Sequence, residues 1–536
     1  MAQARRRITE RLARPGLPRR SRPHAARRAR PALMTPRAPD VIVVGAGGSG
    51  APLAARLAER GERVLLLEAG PVPAPHSTRD GSSLAAAVPG HPLAVSYRGT
   101  LTPGRDHTVV RGLVAGGSTA INGAYFRRPR SRDLDSWAAV AADHRWSASA
   151  TLPLWAEIEG DREYGHRGSG PMPITRSSLD HPLSAALLTA GVELGLPFVP
   201  DQNASPDPPP GVGALPTNTR DGQRWSTARA WLEPPTSGLT IRGGCTVTRV
   251  LFNRGGQTTG VEIVVDDAVE AIRADRVVLC AGAIATPQLL VHSGVGPPGA
   301  VRAAGATVVR DLPVGAQLHD HPQLELRFRV PTEVLDHPTE TTLGVVVHGS
   351  SRCDPGTSAE DVPGDVEVLS VLRPMGRLLD SDTGDTSLSV LVSALRTEQP
   401  GQLLLDSGGI PRLDFRYLRT PGDRARLRVA ARLAAALLAS EPLLQIGVRP
   451  EYPSLEGGLD DDALDDWMRG RLSTALHSCG TTPMGTDPST SVVNGRGAVH
   501  GIEGLHIADL GILPTTPTSG PAASAVLVGL VIANAL

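Results

Sequence analysis

The run Val41 to Gly70, VIVVGAGGSGAPLAARLAERGERVLLLEAG, constrains this chain more than any other stretch. It spells out an apolar strand, a glycine turn, a helix and a second strand ending in an acid. Val41 to Val44 form the first strand. Gly45, Gly47, Gly48 and Gly50 then allow a tight turn, close backbone approach to a pyrophosphate and close contact between helix and strand. The helix, Ala51 to Arg60, aims its N-terminal amides and dipole at that pyrophosphate, where negative charge is favoured. Glu68 ends the second strand about 20 residues on, where a carboxylate accepts hydrogen bonds from ribose hydroxyls. The pattern predicts a dinucleotide site without naming the nucleotide or its chemistry.

At 536 residues the chain is long enough for two or three domains. Its net charge of zero gives no argument for a nucleic-acid partner. All 54 basic residues are Arg, a bias we attribute to a GC-rich genome rather than to function. Cys245, Cys280, Cys353 and Cys479 stand far apart with no metal-ligand spacing. Neither disulfides nor a metal site is therefore expected, and a cytoplasmic location is the default.

Residues 1–39 carry about a dozen Arg, many Pro and one acid, and are expected to be a disordered basic extension. Two readings stay open there: a basic arm that touches a partner or anionic lipid, peripherally at the inner face of the membrane, or a non-native extension upstream of a start at Met34. Pro521 to Leu536 is almost wholly apolar but shorter than the roughly 20 residues of a bilayer span, which predicts a buried terminal helix.

Further along, apolar spacing predicts a helix from Trp146 to Glu159. LTIRGGCTVTRVLF reads as a strand pair, GVEIVV as a strand, and DRVVLCAGAIATPQLLVHSGVGP as strand, turn and helix, the helix entered through Pro287. Alternating strands at Leu324 to Val330, Leu343 to Val347 and Val366 to Leu372, followed by an amphipathic helix at Asp423 to Leu438, predict an antiparallel sheet backed by helices. The expected fold class is therefore α/β. A Rossmann-like dinucleotide-binding domain is expected to be assembled from 40–160, 236–315 and 470–536, with an α+β substrate domain from 161–235 and 316–469.

Three further segments carry candidate chemistry. Arg111 to Asn122 offers Gly116, Gly117 and Ser118, small residues whose exposed amides donate without bulk. Cys280-Ala281-Gly282 ends a strand in a glycine turn. His477-Ser-Cys-Gly-Thr481-Thr-Pro-Met-Gly485 precedes the strand ending at Asp509.

In this order and spacing the four segments resemble the glucose-methanol-choline oxidoreductase family, whose members bind FAD. The resemblance spans Asp40 to Leu536. It implies that the 45–50 loop and Glu68 hold the ADP half of FAD, and that Arg111 and the Gly116 to Asn122 element lie along pyrophosphate and flavin. It further implies that Val247 touches the adenine through its backbone, and that Ala281, Gly282 and Asp509 lie close to the cofactor. The family's catalytic base falls on His477, an imidazole able to take an alcohol proton while hydride leaves for flavin N5.

Two departures follow from the same comparison. The position of the family's second His or Asn falls on Gly520, with Ser519 or Ser524 as the nearest hydroxyls. The place of the His that anchors FAD covalently in several relatives is Val109, with His107 a poor substitute, so FAD is expected to be non-covalent. Trp155 to Glu159, Gly168 to Ile174 and the Ser-Gly-Pro turn resemble the mycofactocin-associated branch. That implies a reduced mycofactocin-type substrate and electrons passed to the respiratory chain, with oxygen the other acceptor to consider. A hydroxynitrile-lyase-like reaction on the FAD scaffold and a weak electron-relay flavoprotein are the alternative functions.

Overall fold

The computed structural model describes residues 38–536 apart from 165–167, 206, 352–362, 383 and 453–458. The basic extension expected at 1–39 therefore lies almost wholly outside the described residues, as does Cys353.

A five-stranded sheet is laid down in the order Leu239–Arg242, Val64–Leu67, Val41–Val44, Val277–Leu279, Leu505–Ile507. Every neighbouring pair is parallel. Its central strands are buried on both faces, which is why they read as continuous apolar runs rather than alternating ones. Helix Gly50–Glu59 follows the first strand. The apolar C-terminal helix, Ala522–Ala535, packs against it in the core, as its composition requires. Among the described residues no helix is long and apolar enough to cross a membrane.

A seven-stranded antiparallel sheet is built around Pro322–Arg329, Ser387–Ala394, Val366–Val371 and Leu343–Gly349. Strand Pro322–Arg329 alternates strictly, and Leu324, Leu326 and Phe328 enter the core. Helix Pro421–Ala439 covers Val366–Val371 and Ser387–Ala394 from one side. A third sheet joins hairpin Ala94–Thr102 and Arg105–Gly112 to Pro411–Asp414 and Gln402–Leu405, so the early and late parts of the chain share one sheet.

Two local expectations are corrected. Leu239–Arg242 and Thr246–Phe252 do not pair with each other: the first joins the parallel sheet, the second pairs with Thr258–Val265. Gly244, at φ +65°, turns the chain out of one sheet and into the other. Pro287 does not open its helix, which begins at Gly282 and carries Pro287 inside it. Proline has no amide for the carbonyl of Ala283 four residues earlier, and the Thr481 hydroxyl donates to that carbonyl at 2.6 Å instead.

Candidate active site

The glycine turn after the first strand is tightly built. Gly45 adopts φ +101°, and a Cβ there would lie 2.5 Å from the Cys280 carbonyl oxygen, so neither conformation nor space admits another residue. Gly47 and Gly282 differ from it in space, although Gly282, at φ +89°, shares its conformation. A Cβ on Gly47 would meet only Gly117 Cα, at 3.9 Å, and one on Gly282 would meet nothing within 4 Å. Protein packing leaves this space clear beside the half-buried backbone, and the N-terminus of Gly50–Glu59 has no side-chain cap. Open glycines beside an uncapped helix N-terminus fit a diphosphate.

Glu68 lies buried beside this turn, accepting from the amides of Ala46 at 2.8 Å and Gly70 at 2.9 Å. Burial pushes its pKa up while those amides oppose the rise. The Cys245 amide donates to the Glu68 carbonyl, bringing Val247 into the same neighbourhood two residues later. The Gly116 amide donates to the Ala46 carbonyl at 2.8 Å, which docks the second glycine element on the first. Ser118 Oγ accepts from the Gly112 amide at 3.2 Å, and Asn122 Oδ1 accepts from the Ala124 amide at 3.0 Å.

Asp509 ties the remaining segments together. Its carboxylate accepts from the Gly282 amide at 2.9 Å, the Thr286 hydroxyl at 2.6 Å and the Gly511 amide at 2.8 Å. Ala281 sits at the start of the same helix.

The loop bearing His477 owes its shape to an uneven strand pairing. His319 and Cys479 exchange both backbone hydrogen bonds, and Pro322 pairs with Thr474. Two residues bridge that interval on one side, Asp320 and His321, against the four from Ala475 to Ser478 on the other. The excess is taken up as a bulge in which Leu476 adopts φ +62°, and bulges of this kind re-aim side chains beside active sites. Asp320 fills the bulge. It accepts from the His477 amide at 3.0 Å, the Ser478 hydroxyl at 2.7 Å, the Thr474 hydroxyl at 3.0 Å and the His321 amide at 2.7 Å. Burial pushes its pKa up, against Arg111 and these donors. Arg111 donates from Nη2 to Ser478 Oγ at 2.9 Å, joining the glycine element to the histidine loop.

His477 Nδ1 stands 2.9 Å from His321 Nδ1, with the two rings close to perpendicular at 88°. Burial, then His321 and Arg111, hold the His477 pKa well below the usual value, so the ring is neutral at neutral pH. Burial also lowers His321, to about 3. His321 is the site residue that sequence reasoning missed. Its only local signal is the His319-Asp320-His321 run, and its position depends on a bulge that carries His477, 156 residues later.

Gly520 is buried against an aromatic ring: a Cβ there would stand 2.9 Å from Tyr125 Cδ1. The Tyr125 hydroxyl donates to Glu367 Oε2 at 2.9 Å, and His348 Nε2 lies 3.1 Å from the same oxygen. Burial lifts Glu367 to about 7. Ser519 Oγ reaches the Arg128 carbonyl at 3.5 Å, while Ser524 Oγ is buried without a protein partner.

Sequence profiles described as GMC oxidoreductase match residues 40–323 and 397–529. The chain belongs to the GMC oxidoreductase family. It is 34% identical over 513 residues to a GMC-type oxidoreductase from the thcA 5′ region of Rhodococcus erythropolis, covering 91% of this chain and 96% of that protein. It is 31% identical over 534 residues to the oxygen-dependent choline dehydrogenase of Klebsiella pneumoniae, covering 93% and 95%. Pyridoxine 4-oxidase from Mesorbium loti superposes with a TM-score of 0.82 at 28% identity, covering 92% of this chain and 98% of that one. GMC oxidoreductases bind FAD and act on alcohol-type substrates, and this chain is an oxidoreductase of that kind.

Proposed function

We propose that this GMC oxidoreductase oxidises a CH–OH group, with His477 taking the hydroxyl proton. The observation that carries the reading is the connection from the Arg111 guanidinium through Ser478 to Asp320, which also holds the His477 amide. It fastens a neutral imidazole to the glycine element that packs on the dinucleotide turn. FAD, when bound, supplies the hydride acceptor. Gly45, Gly47, Gly48, Gly50 and Glu68 would hold its ADP half. Arg111, Gly116, Gly117, Ser118, Asn122, Val247, Ala281, Gly282 and Asp509 complete its surroundings. Non-covalent attachment is supported by Val109, whose side chain is fully buried in the apolar core.

The proposed division is supported in part by the sheets: all five parallel strands fall in 40–160, 236–315 and 470–536, and most of the seven-stranded antiparallel sheet falls in 161–235 and 316–469, while Ser473–Thr474 and the sheet joining Ala94–Gly112 to Gln402–Asp414 cross the boundary. Choline and pyridoxine, named for two relatives, make small hydroxylated compounds the substrate class to try first. The finer reading, a reduced mycofactocin-type substrate feeding the respiratory chain, rests on the Trp155 to Glu159 and Gly168 to Ile174 resemblance. Within the first of these, Glu159 forms a two-point ion pair with Arg128, whose guanidinium lies 5.5 Å from the Trp155 ring centroid, so these residues have a structural task.

The test is anaerobic mixing of FAD-reconstituted protein with a panel of alcohols. Bleaching of the flavin supports the proposal. Substrate consumed while the flavin stays oxidised marks lyase chemistry, and a protein that takes up no FAD refutes the proposal outright.

A further inference from the structure

We propose that His321 is a positioning residue that sets the tautomer of His477: His321 Nδ1 accepts the proton of His477 Nδ1, leaving His477 Nε2 with a bare lone pair for the substrate hydroxyl. The inference deepens the proposed function and rests on His477 being the base.

The argument starts from the 2.9 Å separation of the two Nδ1 atoms. Two bare ring nitrogens repel at that distance and two protonated ones collide, so one proton lies between them. Which ring owns it depends on the far side of His321. There Nε2 is buried and makes no hydrogen bond, the carbonyls of Pro517 and Leu395 favour a proton on the ring, and with Nδ1 engaged by His477 the nitrogen left for those carbonyls is Nε2. A lone pair facing two carbonyl oxygens in a dry site is repelled by both, whereas an N–H is attracted. A neutral imidazole carries one N–H, so a proton on His321 Nε2 leaves its Nδ1 as the acceptor. The proton between the rings therefore belongs to His477.

The consequence is chemical. A neutral His477 with its proton on Nε2 has no lone pair there to remove the hydroxyl proton. With the proton fixed on Nδ1, Nε2 accepts it: the O–H bond breaks, the N–H bond forms, and the imidazolium keeps a charge-assisted hydrogen bond to His321. The Asp320 grip on the amides of both His321 and His477 keeps the two rings in register.

The direct test is ring-nitrogen NMR of FAD-loaded protein carrying 15N-histidine, with the His477 signals assigned by their loss in His477→Gln. A protonated Nδ1 and an unprotonated Nε2 on His477 are expected; the proton on Nε2 overturns the proposal. This readout needs no turnover, so it separates a failure here from a failure of the base assignment, which would surface as unchanged flavin reduction in a His477 variant. Two substitutions test the consequence. His321→Asn keeps an acceptor oxygen near Nδ1 and His321→Phe removes it. His321→Phe is expected to slow the limiting rate of flavin reduction by about 10- to 100-fold with substrate affinity unchanged, and His321→Asn to stay within about threefold of wild type. Wild-type reduction by folded, FAD-replete His321→Phe contradicts the proposal, as does a His321→Asn rate as low as that of the Phe variant.

Discussion

The ring of Tyr125 occupies the space that a side chain on residue 520 would need, with Cδ1 2.9 Å from where the Cβ would stand. Tyr125 is held there by its hydrogen bond to the buried Glu367. Gly520 is thus the packing partner of an aromatic side chain. Gly520→Asn is expected to cost about 1–3 kcal/mol by overpacking and to leave turnover no faster. In the Tyr125→Ala background the same substitution should cost less than it does alone, because the obstructing ring is gone. Thermal unfolding of the two single variants and the double reads the coupling, and strict additivity would argue against it.

Thr481 and Pro287 form a second testable pair. The Thr481 hydroxyl satisfies the Ala283 carbonyl that Pro287 leaves without an amide. Thr481→Val strips a buried acceptor of its donor and is expected to cost about 1–3 kcal/mol. With Pro287→Ala an amide becomes available to the same carbonyl, so the loss should shrink. Denaturant titration of the four proteins measures it, and an equal loss in both backgrounds would remove the explanation.

The pH dependence of flavin reduction has a definite sign. A base works only when unprotonated, and burial holds His477 below the ordinary histidine value of 6.5. The limiting reduction rate should therefore stay level as pH falls through 6.5 and decline only further into acid. Anaerobic stopped-flow across that range checks it, and a decline centred at or above the ordinary value contradicts the assignment.

Glu68 is expected to control cofactor retention. Its carboxylate organises the amides of Ala46 and Gly70 at the mouth of the turn. Glu68→Ala should weaken FAD binding roughly tenfold or more, in keeping with loss of hydrogen bonds to a charged group. Flavin-to-protein ratios after gel filtration provide the measurement, and full occupancy would exclude Glu68 from the site.

What the sequence made legible was local. Val41–Val44, the glycine turn and helix Gly50–Glu59 announce themselves because strand, turn and helix are contiguous and only glycine suits Gly45. Leu324, Leu326 and Phe328 announce a half-buried strand by period two. The errors came where distant segments decide. Gly243 and Gly244 look like a hairpin turn, yet the strands flanking them are claimed by different sheets. Pro287 reads as a helix start, and its place inside the helix depends on a hydroxyl almost 200 residues away. His321 was invisible because its partner is presented by a bulge whose extra residues count only once the strands are paired.

The central claim is that His477 is the base, and its most direct test is anaerobic flavin reduction by His477→Ala reconstituted with FAD. The account predicts a variant that binds FAD as wild type does and reduces it about 10²-fold or more slowly at saturating substrate. Reduction at the wild-type rate would contradict it.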